Sequence, residues 1–199
     1  MAPRALKIGV LALQGDFALH VKALTKCGVD AVEVRKPEQL EELDGLVMPG
    51  GESTTLLKLM EEWQFVPALE KLHGAGKPIF GTCAGLILLA RDVEGPRQFS
   101  LGFIDVAVER NAYGRQRESF SEPGEVDLGG RRPLEMVFIR APRIRQMGPG
   151  VVALARRGDE TVMAREGTVL VASFHPELTD DPAVHQYFCG MVREAARPS

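Results

Sequence analysis

Hydrophobic residues in the first half of the chain follow two alternating patterns. Short continuous apolar runs are typical of strands buried on both faces of a parallel sheet. Between these runs, apolar positions recur three and four residues apart, which indicates amphipathic helices. Strands that alternate with helices predict a parallel sheet covered by helices on both faces. The predicted strands are Leu6–Leu13, Ala31–Val34, Gly45–Met48 and Pro78–Thr82, and the predicted helices are Phe17–Lys26, Thr54–Trp63, Val66–Ala75 and Ala84–Ala90.

The second half of the chain has a different pattern, in which short strands are separated by turn residues. Leu101–Glu109 predicts one further strand, and residues 111–132 are polar and glycine-rich, which favours a long loop with short strands. Later strands with turn signals between them suit antiparallel hairpins, and Asp181–Ala196 predicts a closing amphipathic helix. These later strands are Met136–Arg140, Val151–Ala155, Thr161–Arg165 and Val169–Ser173.

The predicted fold is therefore α/β, a three-layer sandwich in which helices flank a mostly parallel central sheet. Antiparallel hairpins would extend this sheet in the C-terminal half. The length of 199 residues suits a single domain, 1–199, and no internal repeat or linker divides the chain. The hydrophobic fraction of 45% is large enough to fill the core of such a domain.

Composition and charge exclude several other classes of protein. The net charge is −3 and the basic residues form no long run, which argues against nucleic-acid binding. Cys27, Cys83 and Cys189 suggest neither a metal cluster nor a full set of disulfides, which fits a reduced compartment. No apolar run approaches the roughly 20 residues needed to span a membrane, and Ile8–Leu13 is too short for a signal peptide. We expect a cytoplasmic protein with no membrane segment, metal ion or cofactor.

The clearest chemical signal is the segment Gly-Thr-Cys-Ala-Gly at 81–85, where a predicted strand runs directly into a predicted helix. A nucleophile between two glycines at such a turn has the form of a nucleophile elbow. The glycines avoid clashes beside a strained residue, and the helix N-terminus favours the thiolate of Cys83 over its thiol. The amide of Ala84 would face a developing oxyanion. The alternative, a buried structural cysteine, is kept for Cys27 and Cys189, which lack this context.

A cysteine nucleophile needs a histidine, and that histidine needs a group that orients its other ring nitrogen. Of the four histidines, only His175 follows a predicted strand, at the sheet edge where parallel strands place their active sites. Glu177 is two residues further on, and on an extended backbone both side chains would project to the same side. Taken alone, a His-x-Glu pair also fits a chance pair on the surface. His20, His73 and His185 are interpreted as solvated or packed histidines.

A third signal is the turn Pro-Gly-Gly-Glu-Ser-Thr-Thr at 49–55, which follows a buried strand. Gly50 and Gly51 would let backbone amides approach a ligand closely, and amides at a helix N-terminus suit an oxyanion or a carboxylate. Ser53 or Thr54 can cap the helix that follows. A phosphate-binding Walker loop is excluded because no Gly-Lys-Ser/Thr sequence follows. The alternative is a plain tight turn before a capped helix.

Together these three segments resemble the class I, or triad, glutamine amidotransferases. Six sequence blocks that span almost the whole chain resemble, more narrowly, the glutaminase subunits of pyridoxal 5′-phosphate synthase. The Gly-Gly-Glu-Ser-Thr-Thr and Glu-Arg-Asn-x-x-Gly-Arg-Gln forms separate this subfamily from other triad amidotransferases. Departures from the pattern are confined to the linkers and to residues before the first strand. The blocks begin at Ile8, Pro49, Gly81, Glu109, Phe138 and Ser173.

The resemblance implies a role for each matching residue. Cys83 would attack the glutamine amide, His175 would transfer the proton, and Glu177 would orient His175. The oxyanion would be held near Gly51 and Ala84. The residues implied in glutamine binding are Gly51, Glu52, Ser53, Arg110, Ile139 and Arg140.

Two of these residues also have a physical argument of their own. Arg110 and Arg140 follow apolar strands, so their guanidinium groups would be able to reach the cleft and hold a carboxylate. Without the resemblance, each would be interpreted as an ordinary surface arginine, because most arginines are exposed.

The resemblance also implies a partner. The glutaminase would be poorly active alone and would pass ammonia to a synthase subunit, which builds pyridoxal 5′-phosphate from a pentose phosphate and a triose phosphate in a large hetero-oligomer. We expect Gln14 and the helix Phe17–Lys26 to dock this subunit, because the polar break at 14–16 lies at the C-terminal end of a strand. Two alternatives stay open: a stand-alone cysteine hydrolase acting on γ-glutamyl or peptide substrates, and a non-catalytic binding module with the same fold.

Overall fold

The structure is a computed structural model that describes residues 4–111 and 119–197. Its α-helices are α1 (Phe17–Lys26), α2 (Ser53–Glu62), α3 (Phe65–Gly74), α4 (Ala84–Leu89) and α5 (Ala183–Ala195). Its strands are β1 (Lys7–Leu11), β2 (Asp30–Val34), β3 (Gly45–Met48), β4 (Ile79–Thr82), β5 (Ala90–Glu94), β6 (Ile104–Glu109), β7 (Ser119–Asp127), β8 (Arg131–Ile139), β9 (Arg143–Met147), β10 (Val152–Arg157), β11 (Glu160–Glu166) and β12 (Val169–Ala172). Short 3-10 helices cover Pro37–Glu42 and Pro176–Leu178.

Within the described residues, nine strands form one mixed sheet in the order β2-β1-β3-β4-β12-β11-β10-β7-β8. The strands from β2 to β12 in this order are parallel, and from β12 onward each neighbouring pair is antiparallel. The register pairs Met48 with Gly81 and Thr82 with Ala172. The C-terminal ends of β3, β4 and β12 therefore lie side by side, which brings the three predicted site segments to one edge of the sheet.

The central strands of the sheet are buried on both faces, and each face has its own hydrophobic core. Along β3, Leu46 and Met48 pack into one core, while Val47 packs into the other. The first core is covered by α2, α3 and α4, and the second by α1 and α5. Burying one large aliphatic side chain contributes about 1.5–3 kcal/mol, so this alternation stabilises both helical layers. The predicted α/β class with a helix-flanked sheet is confirmed.

The chain departs from its prediction in three places after α4. Residues 119–132 are not mainly loop, because β7 and β8 form a hairpin of two nine-residue strands that pairs Ser119 with Ile139. The rest of that predicted loop includes 112–118, which lie outside the described residues. The sequence pattern predicts neither β5 nor β9, which flank β6 in a separate three-stranded sheet. Both strands are largely exposed and lack an apolar run.

The helices of this structure are short compared with a membrane-spanning helix. In the part of the chain that the structure describes, no helix is both long enough and apolar enough to cross a bilayer. The longest of them, α5, has 13 residues. The assignment of 1–199 to a single domain stays a prediction.

Candidate active site

Cys83 lies at the turn between β4 and α4, with a φ of 50° and a ψ of −103°. A residue with a side chain rarely adopts a positive φ, so the surrounding structure must enforce this geometry. The flanking glycines make the turn possible. A Cβ on Gly85 would lie 2.1 Å from the carbonyl oxygen of Met48, and one on Gly81 would lie 2.6 Å from the backbone of Gly85. The turn has the geometry expected of a nucleophile elbow.

His175 and Glu177 form a buried pair beside this cysteine. Nδ1 of His175 lies 2.6 Å from Oε1 of Glu177. The thiol of Cys83 donates to the carbonyl oxygen of Ile139 at an Sγ–O distance of 3.7 Å. Among the described residues, Nε2 of His175 is buried without a hydrogen-bond partner. The three groups therefore have the order of a Cys-His-Glu triad, with the imidazole placed between the thiol and the carboxylate.

The surroundings of His175 favour its charged form. Burial disfavours the charge, but hydrogen bonds and electrostatic interactions with Cys83 and Glu177 outweigh burial and raise the pKa of His175 to about 10. An imidazolium beside a thiolate is the ion pair that activates a cysteine nucleophile. The hydrogen on Nδ1 points to Glu177, which leaves Nε2 to exchange a proton at the reaction centre.

The backbone that joins this pair differs from the predicted one. His175 precedes a single 3-10 turn, Pro176–Leu178, so the two side chains do not meet across an extended backbone. That part of the prediction is wrong, and the tight turn brings Glu177 to His175. Pro176 fits the first position of the turn, where its fixed φ is suitable and its missing N–H is not needed. The amide of His175 donates to the carbonyl of Val137 in β8 at 2.8 Å.

The glycine turn after β3 lies against the side chains of Cys83 and His175. A Cβ on Gly50 would be 2.5 Å from Cε1 of His175 and 3.2 Å from Cβ of Cys83, so only glycine fits at this position. Gly51 has a φ of 147°, in the region that favours glycine. A Cβ there would also lie 2.3 Å from Oε1 of Gln14. The turn is thus closely packed between the catalytic pair and the loop that follows β1.

Glu52, rather than Ser53 or Thr54, caps α2, so the predicted cap is wrong. The Glu52 carboxylate accepts the amide of Thr54 at 3.1 Å and the amide of Thr55 at 2.7 Å. Burial opposes ionisation, but hydrogen bonds from the hydroxyls and amides of both threonines lower the pKa of Glu52 to about 2. The hydroxyl of Ser53 is buried and donates to Oε1 of Gln98 at 3.0 Å. The side chains of Glu52 and Ser53 therefore hold the turn in place.

The remaining glutamine-binding candidates lie around the same edge. Arg110 follows β6, and its side chain is only 10% exposed, with Nη2 3.8 Å from Oε1 of Glu52. Ile139 ends β8 and reaches Cys83 through its carbonyl oxygen. Arg140 is the next residue, exposed and with a φ of 45°. The structure thus brings Arg110 to the glycine turn and Ile139 to the nucleophile, and it places Arg140 on the adjoining surface.

The sequence alone did not indicate that two side chains from the loop after β1 and from α1 contact the site residues. Oε1 of Gln14 accepts the amide of Glu52 at 3.1 Å, so a residue expected to dock a partner also holds the glycine turn. His20 lies on the buried face of α1, and its Nε2 is 3.3 Å from Oε2 of Glu177. The available signal was a polar residue on the apolar stripe of α1, four positions before the buried Leu24.

One cluster could in principle ligate a cation. Asp16, His175 and Glu177 place one possible ligand atom each within 4.8 Å of one another. Because His175 and Glu177 already bond each other and Asp16 is exposed, we interpret the cluster as the catalytic pair with a carboxylate at its rim. The expectation that no metal is bound stays a prediction.

The fold is α/β, and the site has the geometry expected of enzymes that use a cysteine nucleophile with a histidine. The profile of the SNO glutamine amidotransferase family matches residues 10–194. A protein of Pelotomaculum thermopropionicum named pyridoxal 5'-phosphate synthase subunit PdxT is 55% identical over 183 residues, covering 92% of this chain and 93% of the relative. A Desulforamulus reducens protein with the same name is 51% identical over 187 residues, with coverage of 94% and 99%.

A solved structure agrees with these relatives. The crystal structure of a glutamine amidotransferase superposes with a TM-score of 0.88 at 51% identity, covering 94% of this chain and 98% of the other. The chain belongs to the SNO glutamine amidotransferase family.

Proposed function

We propose that this protein hydrolyses L-glutamine to L-glutamate and ammonia, with Cys83 as the nucleophile. The observation that carries the proposal is the buried His175–Glu177 pair next to a cysteine held at positive φ in a strand-to-helix turn. A structural cysteine needs neither the strained turn nor a histidine–carboxylate pair. A non-catalytic module would have no use for the three groups in this arrangement.

The reaction would begin when the thiolate of Cys83 attacks the side-chain amide carbon of glutamine and forms a carbon–sulfur bond. Amides of Gly51 and Ala84 would hold the oxyanion. The imidazolium of His175 gives its Nε2 proton to the leaving nitrogen, the carbon–nitrogen bond breaks, and ammonia departs. His175 then takes a proton from a water molecule whose oxygen attacks the γ-glutamyl thioester. Glutamate leaves, and the thiolate and imidazolium are restored.

Glutamine is proposed to lie between the glycine turn and the ends of β6 and β8. The guanidinium of Arg110 would pair with a carboxylate of the substrate, because arginine binds carboxylates through charge-assisted hydrogen bonds. Since the carboxylate of Glu52 is occupied by the cap of α2, Glu52 would contribute through its main chain. The full proposed set is Gly51, Glu52, Ser53, Arg110, Ile139 and Arg140.

We further propose that the ammonia passes to a pyridoxal 5′-phosphate synthase subunit in a cytoplasmic hetero-oligomer. The names of the relatives support this partner, and a stand-alone cysteine hydrolase would not account for them. The partner would dock on α1 and the preceding loop. Leu19 on α1 and Leu178 beside it are 37% and 38% exposed, an apolar pair at the rim of the site. Gln14 connects this surface to the glycine turn through the amide of Glu52.

Docking on α1 predicts that charge reversal there weakens the complex. Asp16→Lys combined with Lys22→Glu should raise the dissociation constant for the synthase subunit about tenfold or more, because both side chains are exposed on that surface. Sedimentation velocity measures the complex directly, which matters because Asp16 also lies close to the catalytic pair. Lys58→Glu, on α2 across the sheet, is the control and should bind normally. If the α1 variant bound the synthase subunit as tightly as the wild type, docking on α1 would be ruled out.

The substrate proposal is tested by measuring ammonia released from glutamine, with and without the synthase subunit. Asparagine and a γ-glutamyl anilide serve as comparison substrates. We expect glutamine to be preferred and the synthase subunit to increase its hydrolysis. Equal hydrolysis of the anilide with no effect of the synthase subunit would support the stand-alone hydrolase instead. No ammonia in either condition would refute the glutaminase.

A further inference from the structure

A buried series of polar groups extends from Oε2 of Glu177 into the helical layer of α1 and α5. Oε1 of Glu177 bonds His175, but Oε2 has no well-aligned hydrogen bond among the described residues. Nε2 of His20 lies 3.3 Å from this oxygen and also 3.3 Å from Oγ1 of Thr82. On the other side of the ring, Nδ1 of His20 is 2.9 Å from Nε2 of His185. All these side chains are buried.

The neighbours of His20 determine which ring nitrogen carries its hydrogen. A lone pair on Nε2 would face the carboxylate oxygen of Glu177, and two acceptors at this distance repel each other. Nε2 must therefore carry the hydrogen and share it between Glu177 and Thr82. In a neutral ring Nδ1 then accepts, so His185 donates across the 2.9 Å contact from its Nε2. This leaves Nδ1 of His185 as the acceptor, and that atom has no partner among the described residues.

A neutral His20 can hold the carboxylate without taking its charge away from His175. Complete burial, followed by the charges of His185 and His175, lowers the pKa of His20 well below 6.5. Burial also lowers the pKa of His185 to about 4. A charged His20 would pair with Glu177 and so weaken the charge that favours the imidazolium of His175.

We propose that His20 is a positioning residue of the triad: its Nε2 hydrogen holds Oε2 of Glu177, and His185 fixes the tautomer that supplies this hydrogen. The two oxygens of Glu177 are then fixed by different histidines, one from the loop after β12 and one from α1. The inference rests on the proposed role of Glu177 as the orienting group. It does not depend on glutamine being the substrate.

The tautomer can be measured on the unaltered protein by NMR with nitrogen-15-labelled histidine. At neutral pH, long-range nitrogen–proton correlations should show a neutral His20 ring with its hydrogen on Nε2. His185 should also carry its hydrogen on Nε2. A hydrogen on Nδ1 of His20, or a charged His20 ring, would overturn the proposal whatever the behaviour of variants.

Two substitutions then test what the hydrogen does. His20→Leu removes the donor, while His20→Gln offers an amide N–H in its place. We expect His20→Leu to lower kcat for ammonia release about ten- to a hundredfold with KM little changed, and His20→Gln to recover much of the loss. His73→Gln is the matched control, because His73 stacks on Phe103 away from the site, and it should keep full activity. Equal loss in the leucine and glutamine variants would indicate packing alone and would contradict the proposal.

Alkylation of Cys83 by iodoacetamide separates this role from the identity of the substrate. Without the donor, the carboxylate of Glu177 loses the nearby N–H of His20 that favours its charge. The acid limb of the alkylation rate, followed by mass spectrometry at Cys83, should therefore move to higher pH in His20→Leu and return toward wild type in His20→Gln. An unmoved limb in a folded His20→Leu protein contradicts the proposal. A moved limb without glutamine hydrolysis would contradict only the glutaminase.

Discussion

Replacing Cys83 with alanine should reduce ammonia release from glutamine at least about a thousandfold, with or without the synthase subunit. The thiolate is the atom that forms the covalent intermediate, and alanine offers no group that can replace it. The fold should survive, because the side chain of Cys83 is small and its hydrogen bond to the carbonyl of Ile139 is long. An ammonia assay and a thermal melt measure the two properties separately.

The control for this variant is Cys27→Ala, which removes a half-buried thiol at the end of α1. It should retain wild-type hydrolysis. A Cys83→Ala protein that is folded and still hydrolyses glutamine would show that another group is the nucleophile. Hydrolysis lost equally in both variants would point to a general effect of removing a thiol.

Replacing Glu177 with glutamine should lower kcat about a hundred- to ten-thousandfold. The carboxylate accepts the Nδ1 hydrogen of His175 at 2.6 Å, and an amide can present a donor there and favour the wrong tautomer. The buried Glu177 charge also contributes to raising the pKa of His175 to about 10. Its loss lowers that pKa, so the imidazolium should lose its proton at a lower pH.

The pH dependence distinguishes this effect from simple misfolding. In the Glu177→Gln protein, the acid limb of Cys83 alkylation should move to higher pH, because an imidazolium with a lower pKa stabilises the thiolate less. Glu70→Gln, an exposed carboxylate on α3, is the control and should leave both the rate and the limb unchanged. If the Glu177 variant kept the wild-type limb, Glu177 would not be the group that sets the charge of His175.

The parts of the fold that follow from local pattern were predictable. The parallel strands β1, β3 and β4 are continuous apolar runs because both faces are buried, and such runs are visible in the sequence. The elbow at Cys83 was predictable for a similar reason, since its glycines, strand and helix are adjacent in sequence. These features need little information from the rest of the chain.

Features that depend on distant contacts were not predictable from the sequence. The β7–β8 hairpin alternates buried and exposed residues only weakly, and the polar residues of 111–132 predict a long loop with short strands. The 3-10 turn after His175 could not be predicted, because a His-Pro-Glu sequence also fits extended backbone. The sequence predicts that His20 is either solvated or packed; it is buried, but its position against Glu177 depends on how α1 lies on the sheet.

The hairpin of β7 and β8 has a consequence for how the site is assembled during folding. Although β8 is the last strand in the sheet order, the carbonyl of Val137 accepts the amide of His175 and the carbonyl of Ile139 accepts the thiol of Cys83. The nucleophile and the base come from opposite halves of the sequence, and both contacts close large chain loops. Such non-local contacts form slowly. Catalytic competence should therefore be among the last properties that a refolding molecule acquires, after its helices and parallel strands have formed.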